Sequence, residues 1–130
     1  MIVAGIGSRK GVTVEQVLAA IDAALAAYGL GREELSLLAT TELKRDEAGL
    51  IEAASALGLE LNIVEETELQ AAADRTLTRS EMSVKEAGTP SVSEASALAA
   101  AGLGGWLLGS RAALGPVTCA IAISDAEHGR

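Results

Sequence analysis

Between residues 1 and 64, short apolar runs alternate with stretches whose apolar residues recur every three or four positions. That alternation constrains the fold more than any other feature of the chain. Residues 1–6 (MIVAGI) form an apolar run of strand length that ends among glycines. From Val14 the period changes: Val14, Val17, Leu18, Ile21 and Leu25 fall on one helical stripe, and Thr13 with Gln16 has the spacing of a capping box. After the stop and start signals of YGLGREEL, residues 35–40 (LSLLAT) read as a second buried strand. A helix is predicted over 46–57 with Leu50, Ile51, Ala54 and Leu57 inward and Gly58 as its stop, followed by a third strand over 59–64. Strands and helices alternating at this spacing imply parallel pairing through right-handed crossovers.

Residues 65–73 predict one short helix, and the polar stretch ADRTLTRSEMSVKEAG predicts a loop followed by a weak helix near 81–87. Thr89-Pro90 breaks the chain. Ser91 and Glu94 repeat the capping-box spacing ahead of an Ala-rich helix that ends at Gly102, and its small side chains should let it lie close to a sheet. Residues 106–108 predict a short strand, SRAALGP a turn, and 117–123 the last strand. The expected fold is α/β, a single three-layer α/β/α domain with a mostly parallel sheet spanning residues 1–124, with a disordered tail at 125–130.

Composition narrows the function. A length of 130 residues fits one domain, and an apolar fraction of 49% is ample for its core. There is no Phe, one Trp and one Tyr, so stacking surfaces for single-stranded nucleic acid are not expected. A formal charge of −8 argues further against nucleic acid. One cysteine excludes an internal disulfide and suits a reducing cytoplasm. A signal peptide and an apolar run of membrane-spanning length are both lacking, so a soluble cytoplasmic protein with no membrane partner is expected.

In so acidic a chain the positions of the cations carry information. Arg9 and Lys10 follow the first strand within GIGSRKG, Lys44 and Arg45 follow the second, and Arg111 follows the Trp106 strand. If those strands are parallel, their carboxyl ends share one edge, where open α/β sheets bind ligands. The helix beginning near Val92 is expected to aim its N-terminus at the same edge, with Ser91 beside it. The expectation is a basic cleft lined by Gly5 and Gly7, suited to carboxylates or phosphates. Solvated loop cations are the plain alternative.

Other chemistries find less footing. Gly5, Gly7 and Gly11 give G-x-G-x-x-x-G, which is neither a dinucleotide fingerprint nor a P-loop. Ser8 lacks a nucleophile elbow and the only histidine is His128, so a hydrogen bond to ligand is the expected role for Ser8. Asp46 and Glu47 are carboxylates beside cations, with helix capping the favoured role and general acid or base work, above all by Glu47, the alternative. Cys119 reads as a buried core residue, and no metal-site spacing or cofactor is expected. Trp106 reads as core or as a contact in a homodimer.

GIGSRKG, LKRDEAGL, SVSEASAL and VTCAIAIS occur in that order, and in this the chain resembles the family of CobE and the C-terminal domain of CbiG proteins, over residues 2–123. The resemblance implies a three-layer α/β/α fold and a role in building the corrin ring of cobalamin. It implies motif positions at Gly5, Gly7, Ser8, Arg9, Lys10, Lys44, Glu47, Ser91, Val92 and Glu94, and less securely Arg111. Family members often carry a cysteine where this chain has Ser8. CbiG-type proteins open the δ-lactone of cobalt-precorrin-5A and release acetaldehyde, whereas stand-alone CobE belongs to the aerobic route. The resemblance thus implies a precorrin-type tetrapyrrole as partner, either held and passed on or opened at a lactone, with other enzymes of the pathway as further partners.

Overall fold

A computed structural model of the chain describes residues 1–41, 47–72, 76, 92–102 and 104–124. Strand β1 (Ile2–Ser8) pairs in parallel with β2 (Leu37–Thr41), which pairs in parallel with β3 (Leu61–Val64). On its other side β1 meets β6 (Val117–Ile123) antiparallel along its whole length, from Ile2 opposite Ile123 to Ser8 opposite Val117. Two short strands, β4 (Trp106–Leu107) and β5 (Ala112–Leu114), line the far side of β6, also antiparallel. The order is β3-β2-β1-β6-β4, with β5 also on β6. Since β6 alone is reversed, the other five strands point one way; β1, β2, β3 and β5 end at a shared edge, while β4, opposite Ile123 and Ala122, lies level with the start of β1.

The reversal has a local cause. Leu114 and Val117 are paired across Gly115-Pro116, and Gly115 has φ +60°, so β5 and β6 form a two-residue hairpin that only antiparallel strands can use. The segment SRAALGP therefore holds a strand as well as the expected turn.

Helices α1 (Val14–Ala26) and α2 (Ala48–Leu57) cover one face of the sheet, sharing a core with Ala4, Ile6, Leu38, Cys119 and Ile121. Helices α3 (Glu66–Ala72) and α4 (Val92–Ala101) cover the other, against Val3, Ala39, Val64 and Ala122. The three-layer α/β/α architecture follows from the alternation of side chains along the strands. Thr13 and Gln16 form both bonds of the capping box that starts α1. Gly58, at φ +71°, closes α2 in the left-handed conformation.

Two expectations change. In α2 the inward stripe is Gly49, Leu50, Ala53 and Ala54, while Ile51 is 47% exposed. The helix is turned so that Gly49 sits against the backbone of Val12, 3.1 Å from its carbonyl carbon to where a Cβ would lie, and that rotation carries Ile51 outward. Trp106 is 50% exposed and is not core, because β4 lies at the margin of the sheet. The expected helix at 81–87 and the tail at 125–130 lie outside the described residues. At the amino end of β1, the Met1 amino group donates to the Ser124 carbonyl at 2.6 Å and the Ser124 N–H donates to the Met1 carbonyl at 2.9 Å, which extends the β1–β6 ladder.

Candidate functional site at the carboxyl edge

The glycines of GIGSRKG set how closely the upper face is covered. A Cβ on Gly5 would lie 2.6 Å from the Ala97 nitrogen and 2.9 Å from the Ala97 Cβ, so α4 rests on bare backbone there. A Cβ on Gly7 would lie 2.8 Å from Thr118 Oγ1, 3.6 Å from the Ser93 nitrogen and 3.7 Å from the Val92 Cβ. Helix α4 thus runs opposite to β1 and brings its N-terminal turn, with Val92, to the carboxyl edge beside Gly7. The Thr118 hydroxyl donates to the Gly7 carbonyl at 3.3 Å, tying β6 to the same point. Ser8 Oγ is shielded from solvent and has no hydrogen-bond partner among the described residues.

The loop after β1 is held at both sides of its cations. The Arg9 N–H donates to the Pro116 carbonyl at 3.1 Å, which carries the ladder one step past the strand. The Gly11 N–H, on a residue with φ +78°, donates to both carboxylate oxygens of Glu47, at 3.1 and 3.3 Å. Between these two anchors the residues Arg9 and Lys10 are exposed. Glu47 occupies the N-cap position of α2 but makes no capping bond with its side chain, which instead bridges to the first loop.

Arg111 does not stand at the carboxyl end of the Trp106 strand as expected: β4 ends at Leu107, level with Val3, and Arg111 precedes Ala112, which through Cys119 is level with Ile6, so its backbone lies below the edge. Its backbone N–H donates to Glu94 Oε2 at 2.8 Å, and Glu94 lies in the first turn of α4 at 0% exposure. Ser91, its expected partner in a capping box, lies outside the described residues; the Glu94 carboxylate reaches a residue seventeen positions on. Arg111 itself is half-buried.

Of the residues singled out in the sequence, Gly7 lies against Val92 and Gly5 lies under the next turn of α4 at Ala97, Arg9 and Lys10 share a loop that Glu47 anchors, and Arg111 is joined to α4. Lys44, Arg45, Asp46 and Ser91 lie outside the described residues. Sequence reasoning missed Thr118 and Pro116. The alternation of Thr118 with the buried Val117 and Cys119 was the available signal for the first, and none marked the second. Among the described residues no three His, Cys, Asp or Glu side chains are grouped to hold a metal ion, and no helix is long and apolar enough to cross a membrane.

Helices α1 and α2 lie on one side of the sheet and α4 on the other, so the loop after β1 leaves toward one layer while α4 arrives from the opposite one. The open crevice of an α/β sheet forms at such a point.

A family model described as cobalamin synthesis G C-terminus matches residues 2–122. Among solved structures, CobE, a protein from the cobalamin (vitamin B12) biosynthetic pathway, is 34% identical and superposes with a TM-score of 0.85 over 94% of this chain and 89% of its own. Cobalamin biosynthesis protein chiG from Agrobacterium tumefaciens str. C58 is 46% identical, with a TM-score of 0.77 over 95% of this chain and 98% of its own. A protein described as a cobalamin biosynthesis protein G homolog, from Sulfolobus solfataricus, is 28% identical with a TM-score of 0.73, covering 93% of this chain and 36% of its own. No curated protein sequence matches the chain.

Proposed function

The chain belongs to the cobalamin synthesis G C-terminus family and is a protein of cobalamin biosynthesis, and on that premise we propose that it binds a precorrin-type tetrapyrrole carrying several carboxylates and assists its processing or transfer. The observation that carries this is the anchored loop at the carboxyl edge. Arg9 and Lys10 stand exposed between two backbone anchors, so they present positive charge from a fixed position on a protein of net charge −8.

Precorrins are flat macrocycles rimmed with acetate and propionate groups. Arg9, Lys10 and Arg111 would pair with that rim, Ser8 Oγ would supply a hydrogen bond, and the aliphatic surface at Val92, over the buried Gly5 and Gly7, would take the ring. Lys44 and Ser91 belong to the same proposal by their sequence positions. Opening of a lactone is the weaker reading. It needs a proton-transfer group, and Glu47, the candidate among the described residues, already receives the Gly11 N–H on both oxygens. Recruitment of pathway enzymes through the exposed Trp106 is a separate and compatible role. The single cysteine supports a reducing, cytoplasmic setting.

Titration with cobyrinic acid, followed by absorbance, tests the proposal. Saturable binding that weakens with added salt is expected, and Arg9→Ala with Lys10→Ala should lower affinity roughly 5- to 30-fold, as about 0.5–1 kcal/mol per exposed pair implies. No saturable change, or one indifferent to both substitutions, overturns it. Product analysis with a lactone intermediate separates the two readings: turnover abolished by Glu47→Gln favours catalysis, and binding without turnover favours the carrier.

A further inference from the structure

We infer that Glu94 is a positioning residue for the site, setting Arg111 against the first turn of α4 so that its guanidinium serves the carboxylate rim; this rests on the tetrapyrrole-binding reading above. Glu94 has no solvent exposure, and a carboxylate is held in such a place only when it is well engaged. Its Oε2 accepts the Arg111 backbone N–H at 2.8 Å, within the range of a charge-assisted bond.

The place of that bond gives it leverage. Between β4 and β5, residues 108–111 break the ladder to β6: Leu108 N–H still donates to the Ile121 carbonyl, and strand pairing resumes only at Ala112 opposite Cys119. A short interruption of this kind bends a strand and re-aims its side chains. The Arg111 N–H falls at the end of the interruption, and Glu94 supplies its acceptor from the helix that also covers Gly5 and Gly7. One carboxylate therefore joins the layer over the glycines to the strand that bears the cation. Reach matters here more than charge. Glutamine, of the same length and with an acceptor oxygen, preserves the link, while aspartate, one methylene shorter, does not.

The experiment combines amide hydrogen exchange at Arg111 with cobyrinic acid titration of Glu94→Gln, Glu94→Asp, Glu94→Ala, Arg111→Ala and the double variants. Slow exchange at Arg111 is expected in the native protein and in Glu94→Gln, and fast exchange in Glu94→Asp. Arg111→Ala and Glu94→Asp should each lower affinity, by up to about five-fold as one partly exposed ion pair allows, and the pair together should lower it no further. Glu94→Asp serves if Glu94→Ala fails to fold. Unchanged Arg111 exchange in Glu94→Asp, additive losses in the double variant, or full affinity in Arg111→Ala each overturn the inference. If Arg9→Ala with Lys10→Ala is also without effect, the binding reading falls with it.

Discussion

Gly5 shows how much a single hydrogen can decide. Its missing side chain lets α4 lie on β1, and a methyl group there would meet the backbone and Cβ of Ala97 with nothing flexible to give way. Gly5→Ala is expected to lower stability by about 1–3 kcal/mol, the usual cost of overpacking, or by more if α4 cannot shift; urea denaturation measures it. Cys119 makes the opposite kind of statement. It is buried, and burial pushes its thiol well above its ordinary value. The folded state therefore keeps the proton after the unfolded chain releases it, so this thiol's contribution is complete below roughly pH 8.5 and declines as the pH rises past it. Iodoacetamide at pH 8 should leave the native protein unmodified and alkylate it once urea is added. A need for close approach at GIGSRKG was legible, and so was a small-faced helix lying near the sheet; that α4 is what covers Gly5 and Gly7 was not, since both glycines were expected to line a cleft for a ligand. The bond from Arg111 to Glu94 was not legible either, because a capping-box spacing speaks only of a partner three residues away and carries no sign of one across the fold.

At the scale of elements, periodicity gave β1, α1, α2, β3, α4 and β6 with errors of a few residues at most, since each carries its own cap, stop or alternation. The Thr13 capping box is the best-marked of these, and Thr13→Ala should cost about 1 kcal/mol in thermal or denaturant unfolding. Strand β5 was hidden because three residues, two of them alanine, offer no pattern longer than a turn. Ile51 was misplaced for a different reason. Leu50 and Ile51 are neighbours of equal apolarity, and the choice between them was made by Gly49 fitting against Val12, a contact that no periodic count contains. Asp22 and Arg32 likewise meet at 2.8 Å across ten residues, and the guanidinium holds the Asp22 carboxyl below its usual range.

At the scale of the molecule, alternation implied parallel pairing and a shared carboxyl edge, and the direction of five strands agrees. The reversed β6 depended on a hairpin encoded by Gly115-Pro116, too short a signal to stand out beside the regular units before it. The same reversal brings residues 1 and 124 side by side, joined through two backbone bonds, at the end of β1 remote from Arg9 and Lys10. Polypeptide appended before residue 1 or beyond residue 124 would set out from the floor of the domain, leaving its mouth open. A fold wired this way can be spliced into a larger chain, as a unit covering 36% of the Sulfolobus protein is, without stopping up the entrance through which a guest would come.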